Sequence, residues 1–188
     1  MSEQIPPSSQ ADELPTPWHA LDEAGTGLTV DAFITTMMSQ VGNALRRTIT
    51  LPYAEQFGLS VSEWRLLSLV AHAQRVAFSD LVLQSTSDKA LVSRTLKLLE
   101  GRGLVALEAE GNTPRKKIYC VVTPAGKELH TQAIPIARAR QAAAIRVLPV
   151  EERDAMYRAL VRLRAYCREM ETEGRNGNGR VDPLGLDI

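Results

Sequence analysis

Apolar residues recur every three or four positions over most of this chain, and the pattern predicts a mainly α-helical protein. The first stripe runs from Val30 to Ile49 and predicts a long amphipathic helix that ends near Leu51-Pro52. Asp31 suits the first turn of this helix, because the N-terminal end of a helix favours a negative charge.

A second helix is predicted at the Ser60–Glu63 pair, because these residues have the spacing of a capping box. Its apolar positions continue to about Ala73. A short loop through Arg75-Val76 then leads to a third, shorter helix with Ser79 as its cap. A break at residues 85–87 separates this helix from the next.

The stretch 88–102 predicts a helix with one apolar face and one polar, basic face, which we call the reader helix. Ser87 or Asp88 can accept the free N–H groups at its start, and Gly103 is a left-handed stop at its end. The apolar face repeats at steps of four and three residues and consists of Val92, Leu96 and Leu99.

Two strands are predicted directly after the reader helix, at residues 104–107 and 117–122. The run 111–114 between them is rich in turn-forming residues, so the two strands form a hairpin, which we call the wing. The turn is followed at once by a basic cluster made of Arg115, Lys116 and Lys117.

Two more helices are predicted after the wing. Thr123 caps the first, Pro124 occupies its first position, and Pro135 lies inside it and should kink it before it ends near Val147. The second begins after Leu148-Pro149 and carries an apolar face as far as Met170. The termini are rich in Pro, Ser and acidic residues at one end and in Gly at the other.

The order of three helices, a reader helix and a hairpin is that of a winged helix-turn-helix core. The first helix and the last two are not needed for such a core, and their apolar stripes predict burial against a second copy of the chain. The predicted divisions are a loose arm at 1–28, a dimerisation helix at 29–58, a winged helix-turn-helix DNA-binding domain at 59–123, dimerisation helices at 124–172 and a flexible tail at 173–188. Trp18 and Leu21 are the arm residues suited to dock on the body.

Charge supports a nucleic-acid partner only locally. The 188 residues carry 22 basic and 22 acidic side chains, so the whole chain is neutral. Residues 88–119 nevertheless hold seven basic and four acidic side chains, and the position of charge matters more than its total.

Several other functions are not supported by the sequence. Cys120 and Cys167 have neither disulfide nor zinc spacing and look structural, and His19, His72 and His130 are isolated, so neither redox nor metal sensing is indicated. Phosphate-binding loops and nucleophile elbows are absent, so no enzyme and no cofactor are predicted. The N-terminus has no basic start and no apolar segment, which predicts a cytoplasmic protein without a membrane span.

Four segments in this order resemble the MarR family of bacterial transcription regulators, over about residues 30–170. The resemblance implies a homodimer that binds a palindromic operator, usually as a repressor, and releases it when a small ligand binds. The segments are Leu59–Leu67, Val92–Val105, Val121–Gly126 and Leu148–Glu152.

The residues predicted to contact double-stranded DNA lie on the reader helix, on the wing and at helix starts. Arg94 can bind guanine through two hydrogen bonds, and Ala90 and Leu91 can touch thymine methyl groups. The family's wing usually carries Asp before the Arg of its tip, but Pro114 precedes Arg115 here, and Asn112 or Glu110 are candidates to replace the missing carboxylate. The full predicted set is Ser62, Ser79, Thr86, Lys89, Ala90, Leu91, Ser93, Arg94, Lys97, Arg115, Lys116 and Lys117.

The resemblance also implies an effector site between the dimerisation helices and the reader helix. Apolar and thioether groups there suit a flat ligand, and an arginine or histidine can hold its carboxylate, so we expect an aromatic acid or its coenzyme A thioester. The predicted set is Met37, Met38, Val41, Arg46, Trp64, Arg65 and His72. The alternative hypothesis is a winged helix that binds proteins and has no sequence-specific contact with DNA.

Overall fold

The computed structural model describes residues 15–85, 87–110 and 117–176, with side chains as far as residue 173. The chain divides into two compact units, Met1–His130 and Thr131–Ile188. The elements in order are α1 (Ile34–Leu45), α2 (Leu51–Gln56), α3 (Val61–Ala73), β1 (Arg75–Ala77), α4 (Phe78–Ser85), α5 (Lys89–Gly101), β2 (Val105–Glu110), β3 (Lys117–Val122), α6 (Pro124–Ile145) and α7 (Val150–Asn176). The reader helix is α5.

The first predicted helix is present but does not end at Leu51-Pro52. A short 3₁₀ turn at Val30–Ala32 precedes α1, a π-helical turn at Arg46–Thr50 follows it, and α2 continues the helical path to Gln56. In the wider turn the Leu51 N–H bonds to the Arg46 carbonyl, five residues back. A π turn of this kind accommodates Pro52, because the proline has no N–H and its ring would clash within a regular α-helix.

The predicted loop at Arg75-Val76 is instead a third strand, so the wing is part of a three-stranded antiparallel sheet. The strand order is β1-β3-β2, and β3 pairs with both neighbours. Val76 pairs with Cys120, and Leu107 pairs with Cys120 from the other side. A strand of three residues is too short to show alternation, which is why the pattern suggested a loop.

The core of the first unit lies between α3, α4, the reader helix and the root of the wing. The predicted apolar face of the reader helix is confirmed, because its three members are at most 1% exposed. The elements that contact the reader helix contribute further buried side chains, which include Leu67, Val70, Leu81 and Val105. This packing leaves the opposite face of the reader helix free to meet a partner.

Small residues determine the conformation of two connections. One joins the reader helix to the wing, and the other joins the wing to α6. Gly103 adopts a φ of +67°, the left-handed stop that the sequence predicts. Thr123 caps α6, since its hydroxyl accepts the Gly126 N–H at 3.0 Å and donates to the Gly103 carbonyl at 2.6 Å. A Cβ at Gly126 would lie 1.9 Å from the Leu104 carbonyl oxygen, so this close approach requires glycine.

The second unit consists of the rest of α6 and all of α7. The helix α6 continues through Pro135, and α7 begins directly after the predicted Leu148-Pro149 break. Arg153 donates to the carbonyls of Leu148 and Arg146, which secures the turn between the helices. The helix α7 extends to Asn176, into the segment that the sequence predicts as a tail, and residues 177–188 lie outside the described part.

The described part of the N-terminal arm, residues 15–29, contains turns but no helix or strand. Trp18 docks as predicted, with its indole N–H 2.7 Å from the Ala32 carbonyl oxygen. Trp18 nevertheless remains 42% exposed, and Leu21 is 51% exposed. No helix in the described residues is both long enough and apolar enough to span a membrane.

Candidate nucleic-acid interface

The reader helix presents the predicted polar row on its outer face. Asp88 caps the helix by accepting the Leu91 N–H at 2.8 Å. Lys89, Ala90, Arg94 and Lys97 are exposed, and Leu91 and Ser93 are half-buried beside them. The row therefore combines two positive charges beyond the first turn with small and apolar groups at its start, which are the residue types that read base edges in a major groove.

An ion pair fixes the C-terminal end of the reader helix to the start of α3. The Arg102 guanidinium donates to the Gly58 carbonyl at 2.8 Å and to Glu63 Oε1 at 3.1 Å. Glu63 also completes the predicted capping box, because its carboxylate accepts the Ser60 N–H while the Ser60 hydroxyl accepts the Glu63 N–H. One carboxylate thus holds both helices in register.

The pKa of Glu63 reflects this position. Burial works against the charged form, but the hydrogen bonds from Ser60 and the ion pair with Arg102 outweigh it and lower the pKa below the usual 4.5. The carboxylate is therefore ionised at neutral pH and contributes to the stability of the fold there.

A second basic residue, which the sequence analysis did not assign, braces the stem of the wing. Arg75 on β1 lies over the ring of Tyr119 on β3, 3.5 Å from its centroid, and reaches across to β2. There it pairs with Glu110 at 2.9 Å and with Glu108 at 3.6 Å. The hydrogen bond from Arg75 lowers the pKa of Glu110 below its usual value. Glu110, one of the two proposed substitutes for the missing carboxylate, is thus held by Arg75 at the end of β2, where the turn of the wing begins.

The predicted DNA contacts at the wing and the helix starts are only partly described. Lys117 is exposed at the first position of β3. Arg115, Lys116, Pro114, Asn112 and Thr86 lie outside the described residues. Ser62 lies half-buried in the first turn of α3.

Ser79 does not cap α4 as predicted. The helix begins one residue earlier, at Phe78, so Ser79 lies within the first turn and donates to Asp80 Oδ1 at 3.3 Å. The preceding strand β1 runs directly into the helix, which removes the loop that would have left room for a cap.

The residues predicted to bind an effector are placed in four locations. Met37, Met38 and Val41 lie on the exposed apolar face of α1. Trp64 is buried, edge-on to Tyr53 at 5.4 Å and stacked on His130 at 5.7 Å. His72 is exposed near the end of α3, and Arg46 and Arg65 lie together at a separate cavity. The effector site remains a prediction.

The cavity beside Arg46 and Arg65 has a volume of about 130 Å³. It lies between the π turn, the first turns of α3 and the first half of the reader helix. Residues predicted for DNA contact line it as well, so two predicted sets meet here. Its lining comprises Arg46, Val61, Ser62, Arg65, Leu66, Ser87, Leu91, Val92 and Thr95.

Cys120 does not have the environment of a redox sensor. Burial raises the pKa of the Cys120 thiol to about 11, so it stays protonated at neutral pH. Cys167 is exposed on α7, so its predicted structural role is not apparent in this unit alone. No group of three or more potential metal ligands occurs among the described residues.

Comparison with known proteins identifies the fold. A family model described as the MarR family matches residues 57–115, which include α3, the reader helix and β2. A MarR/EmrR family transcriptional regulator from Acinetobacter sp. ADP1 shares 25% sequence identity, with a TM-score of 0.67, over 76% of this chain and 99% of that one.

Residues 57–115 of this chain therefore match the MarR family, and the fold is shared with a regulator of that family. The resemblance inferred from the sequence is therefore confirmed, as is the mainly helical winged fold. Members of the MarR family are DNA-binding transcription regulators and not enzymes, and the match covers most of the winged helix-turn-helix part of this chain. The match to this family model disfavours the alternative of a winged helix that binds proteins only.

Two other solved structures of the same fold contain bound partners. A putative MarR family regulator from Listeria monocytogenes, complexed with a 26mer DNA, has 20% identity and a TM-score of 0.66, over 79% of this chain and 97% of that one. NadR in complex with 4-hydroxyphenylacetate has 24% identity and a TM-score of 0.61, over 72% and 95%. No curated protein matches the sequence.

Proposed function

We propose that this protein is a homodimeric repressor of the MarR type that binds a palindromic operator and is released by a small aromatic acid. The exposed row with Arg94 and Lys97 on the reader helix carries the DNA part of the proposal, because it lies opposite the buried face and next to the wing. The repressor acts on bacterial DNA, so we place it in the cytoplasm.

The apolar face of α1 supports the dimer. Six large apolar side chains along one side of this helix are each 39–46% exposed, although isolated exposed apolar residues are the norm on a soluble surface. A continuous stripe of this kind fits burial against the same helix of a second copy. The stripe consists of Phe33, Ile34, Met37, Met38, Val41 and Leu45.

The helix α7 supports the same assembly from the other unit. Its exposed apolar side chains recur at helical spacing and include Met156, Val161, Leu163 and Tyr166. Two copies joined through such helices would present two reader helices about 34 Å apart, one turn of duplex DNA. A palindromic operator follows from that two-fold symmetry.

An aromatic acid is proposed as the effector because NadR, which has the same fold, binds 4-hydroxyphenylacetate. The predicted ligand groups of this chain include thioethers on α1 and an aromatic cluster around Trp64, which suit a flat apolar ring. The acid would bind the folded protein in the form that does not hold DNA.

The effector proposal is tested by thermal unfolding and DNA release with a panel of aromatic acids that includes 4-hydroxyphenylacetate. A ligand that binds only the folded protein at one hundred times its Kd adds about 2.7 kcal/mol to the free energy of unfolding and raises the Tm. We expect the same acid to release the operator. If no acid in the panel both raises the Tm and releases DNA, the aromatic-acid proposal is wrong.

A further inference from the structure

The cavity of about 130 Å³ is lined by two arginines and three hydroxyl side chains, together with four apolar side chains. Arg46 comes from the π turn that follows α1. Ser62 and Arg65 come from the first two turns of α3, and Leu91 and Thr95 come from the reader helix. All of these elements belong to the first unit.

Both arginines hold neutral partners. Arg46 donates to Asn43 Oδ1 at 2.8 Å, and Arg65 donates to the Ser85 carbonyl at 3.3 Å. Within the described part of the chain, neither forms an ion pair and no Asp or Glu lines the cavity. Each guanidinium has five N–H donors, so donors and an uncompensated charge remain for an anion.

The N-terminal ends of the two nearby helices add positive electrostatic potential to that of the arginines. Ser62 lies in the first turn of α3, and Ser87 precedes Asp88, the cap of the reader helix. The N-terminal ends of helices favour anions. Ser60 and Asp88 already accept some of the free N–H groups, so the two arginines are the main donors available.

We propose that Arg46 and Arg65 hold a backbone phosphate of the bound DNA in this cavity. Both side chains are exposed and the volume is small, which suits a phosphate group whose chain continues outside better than an enclosed aromatic molecule. The cavity borders Leu91 of the base-reading row, and phosphates flank the groove that a reader helix enters.

This inference rests on the DNA-binding function and assigns two residues, first predicted to hold an effector carboxylate, to the DNA. It also brings the end of the proposed dimerisation helix into contact with the duplex. A phosphate held between the π turn and α3 would fix the reader helix in its groove without any contribution to base choice.

The test compares Arg46→Gln and Arg65→Gln with Arg47→Gln, which removes an exposed arginine that does not line the cavity. DNA affinity is measured over a range of salt concentrations, on an operator selected from a random pool and on an unrelated duplex. We expect each cavity variant to weaken both duplexes by a similar factor. The slope of log K against log salt should fall by about one in each cavity variant and stay unchanged in Arg47→Gln.

A second measurement on the same variants distinguishes the carboxylate of a small acid from a DNA phosphate as the anion in the cavity. It is the Tm shift caused by 4-hydroxyphenylacetate without DNA. An unchanged salt slope together with loss of the acid's Tm shift would assign the cavity to a carboxylate and overturn the phosphate proposal. An equal fall of the salt slope in Arg47→Gln would also overturn the proposal, because the slope would then reflect the net charge of the protein and not a contact in the cavity. If the unaltered protein binds no duplex at all, the proposed function itself fails, which is a different result.

Discussion

At the scale of single residues, we propose two kinds of DNA contact, which differ in what they recognise. Arg94 stands on the exposed face of the reader helix, whereas Lys117 stands at the start of β3. The first can reach base edges and the second can reach only the backbone or the minor groove. Their positions on the helix face and at the hairpin follow from apolar periodicity and turn residues, so both were predictable from the sequence.

Replacing Arg94 with alanine should relax base choice more than it weakens binding. A bidentate contact with guanine discriminates by about 1–3 kcal/mol, so the preference for the selected operator over a single-base variant should fall about tenfold. Competition binding on the two duplexes measures this ratio. Lys117→Ala should weaken both duplexes alike, and an unchanged ratio in Arg94→Ala would contradict the proposed orientation of the reader helix.

Glu63 should make the stability of the fold depend on acid pH. Its pKa in the folded protein is lowered, so the stabilisation is complete above the unfolded value of about 4.5 and is lost as pH falls through the folded pKa. Glu63→Gln keeps the capping geometry but loses the charge, and should cost about 1 kcal/mol at pH 7.

Urea denaturation at pH 7 and at pH 3 provides the comparison. The difference between the original chain and Glu63→Gln should shrink at the lower pH, and the exposed Glu55→Gln serves as the control. A difference that stays constant between the two pH values would show that the ion pair with Arg102 does not carry the effect.

Among the elements, those with long apolar periods were predictable and the short ones were not. The capping box of α3, the buried face of the reader helix and the start of α6 follow from local rules, and all are present. The strand β1 has three residues and is held by pairing with β3, which comes more than forty positions later. A local sequence pattern cannot predict a pairing between such distant residues. The role of Arg75 in bracing the wing was therefore not predictable.

The ion pair between Arg75 and Glu110 gives a prediction that distinguishes two effects on DNA affinity. One is a structural role of the pair in holding the wing, and the other is the net charge of the protein. Glu110→Arg adds positive charge, which on its own would tighten DNA binding. If Arg75 and Glu110 set the direction of the wing, this variant should instead bind DNA more weakly, by about threefold, and Arg75→Glu should do the same. The double variant, which exchanges the two charges, should restore the affinity.

Affinity for the selected operator at one salt concentration is measured for the four proteins of this cycle. Tighter binding by Glu110→Arg, or failure of the exchange to restore affinity, would exclude the brace. Glu108→Gln is a useful companion, because its carboxylate lies farther from Arg75 and its loss should have the smaller effect.

At the scale of the whole molecule, the proposed assembly is a two-fold dimer. The exposed stripes of α1 and α7 were read from the sequence as dimerisation faces, and each helix does expose large apolar side chains. The arrangement of two copies follows neither from the periodicity of the sequence nor from the structure of a single chain. The π turn at Arg46–Thr50 was not predictable either, because it results from Pro52 within a continuing helix.

The central claim is that two reader helices, joined as a dimer, bind a two-fold operator through base and phosphate contacts. The most direct measurement is a salt titration of binding to a full palindrome and to its isolated half-site. We predict a steep loss of affinity with salt and much tighter binding to the palindrome, with two protomers per duplex. Equal affinity for the palindrome, the half-site and an unrelated duplex, or no binding at low salt, would contradict the account.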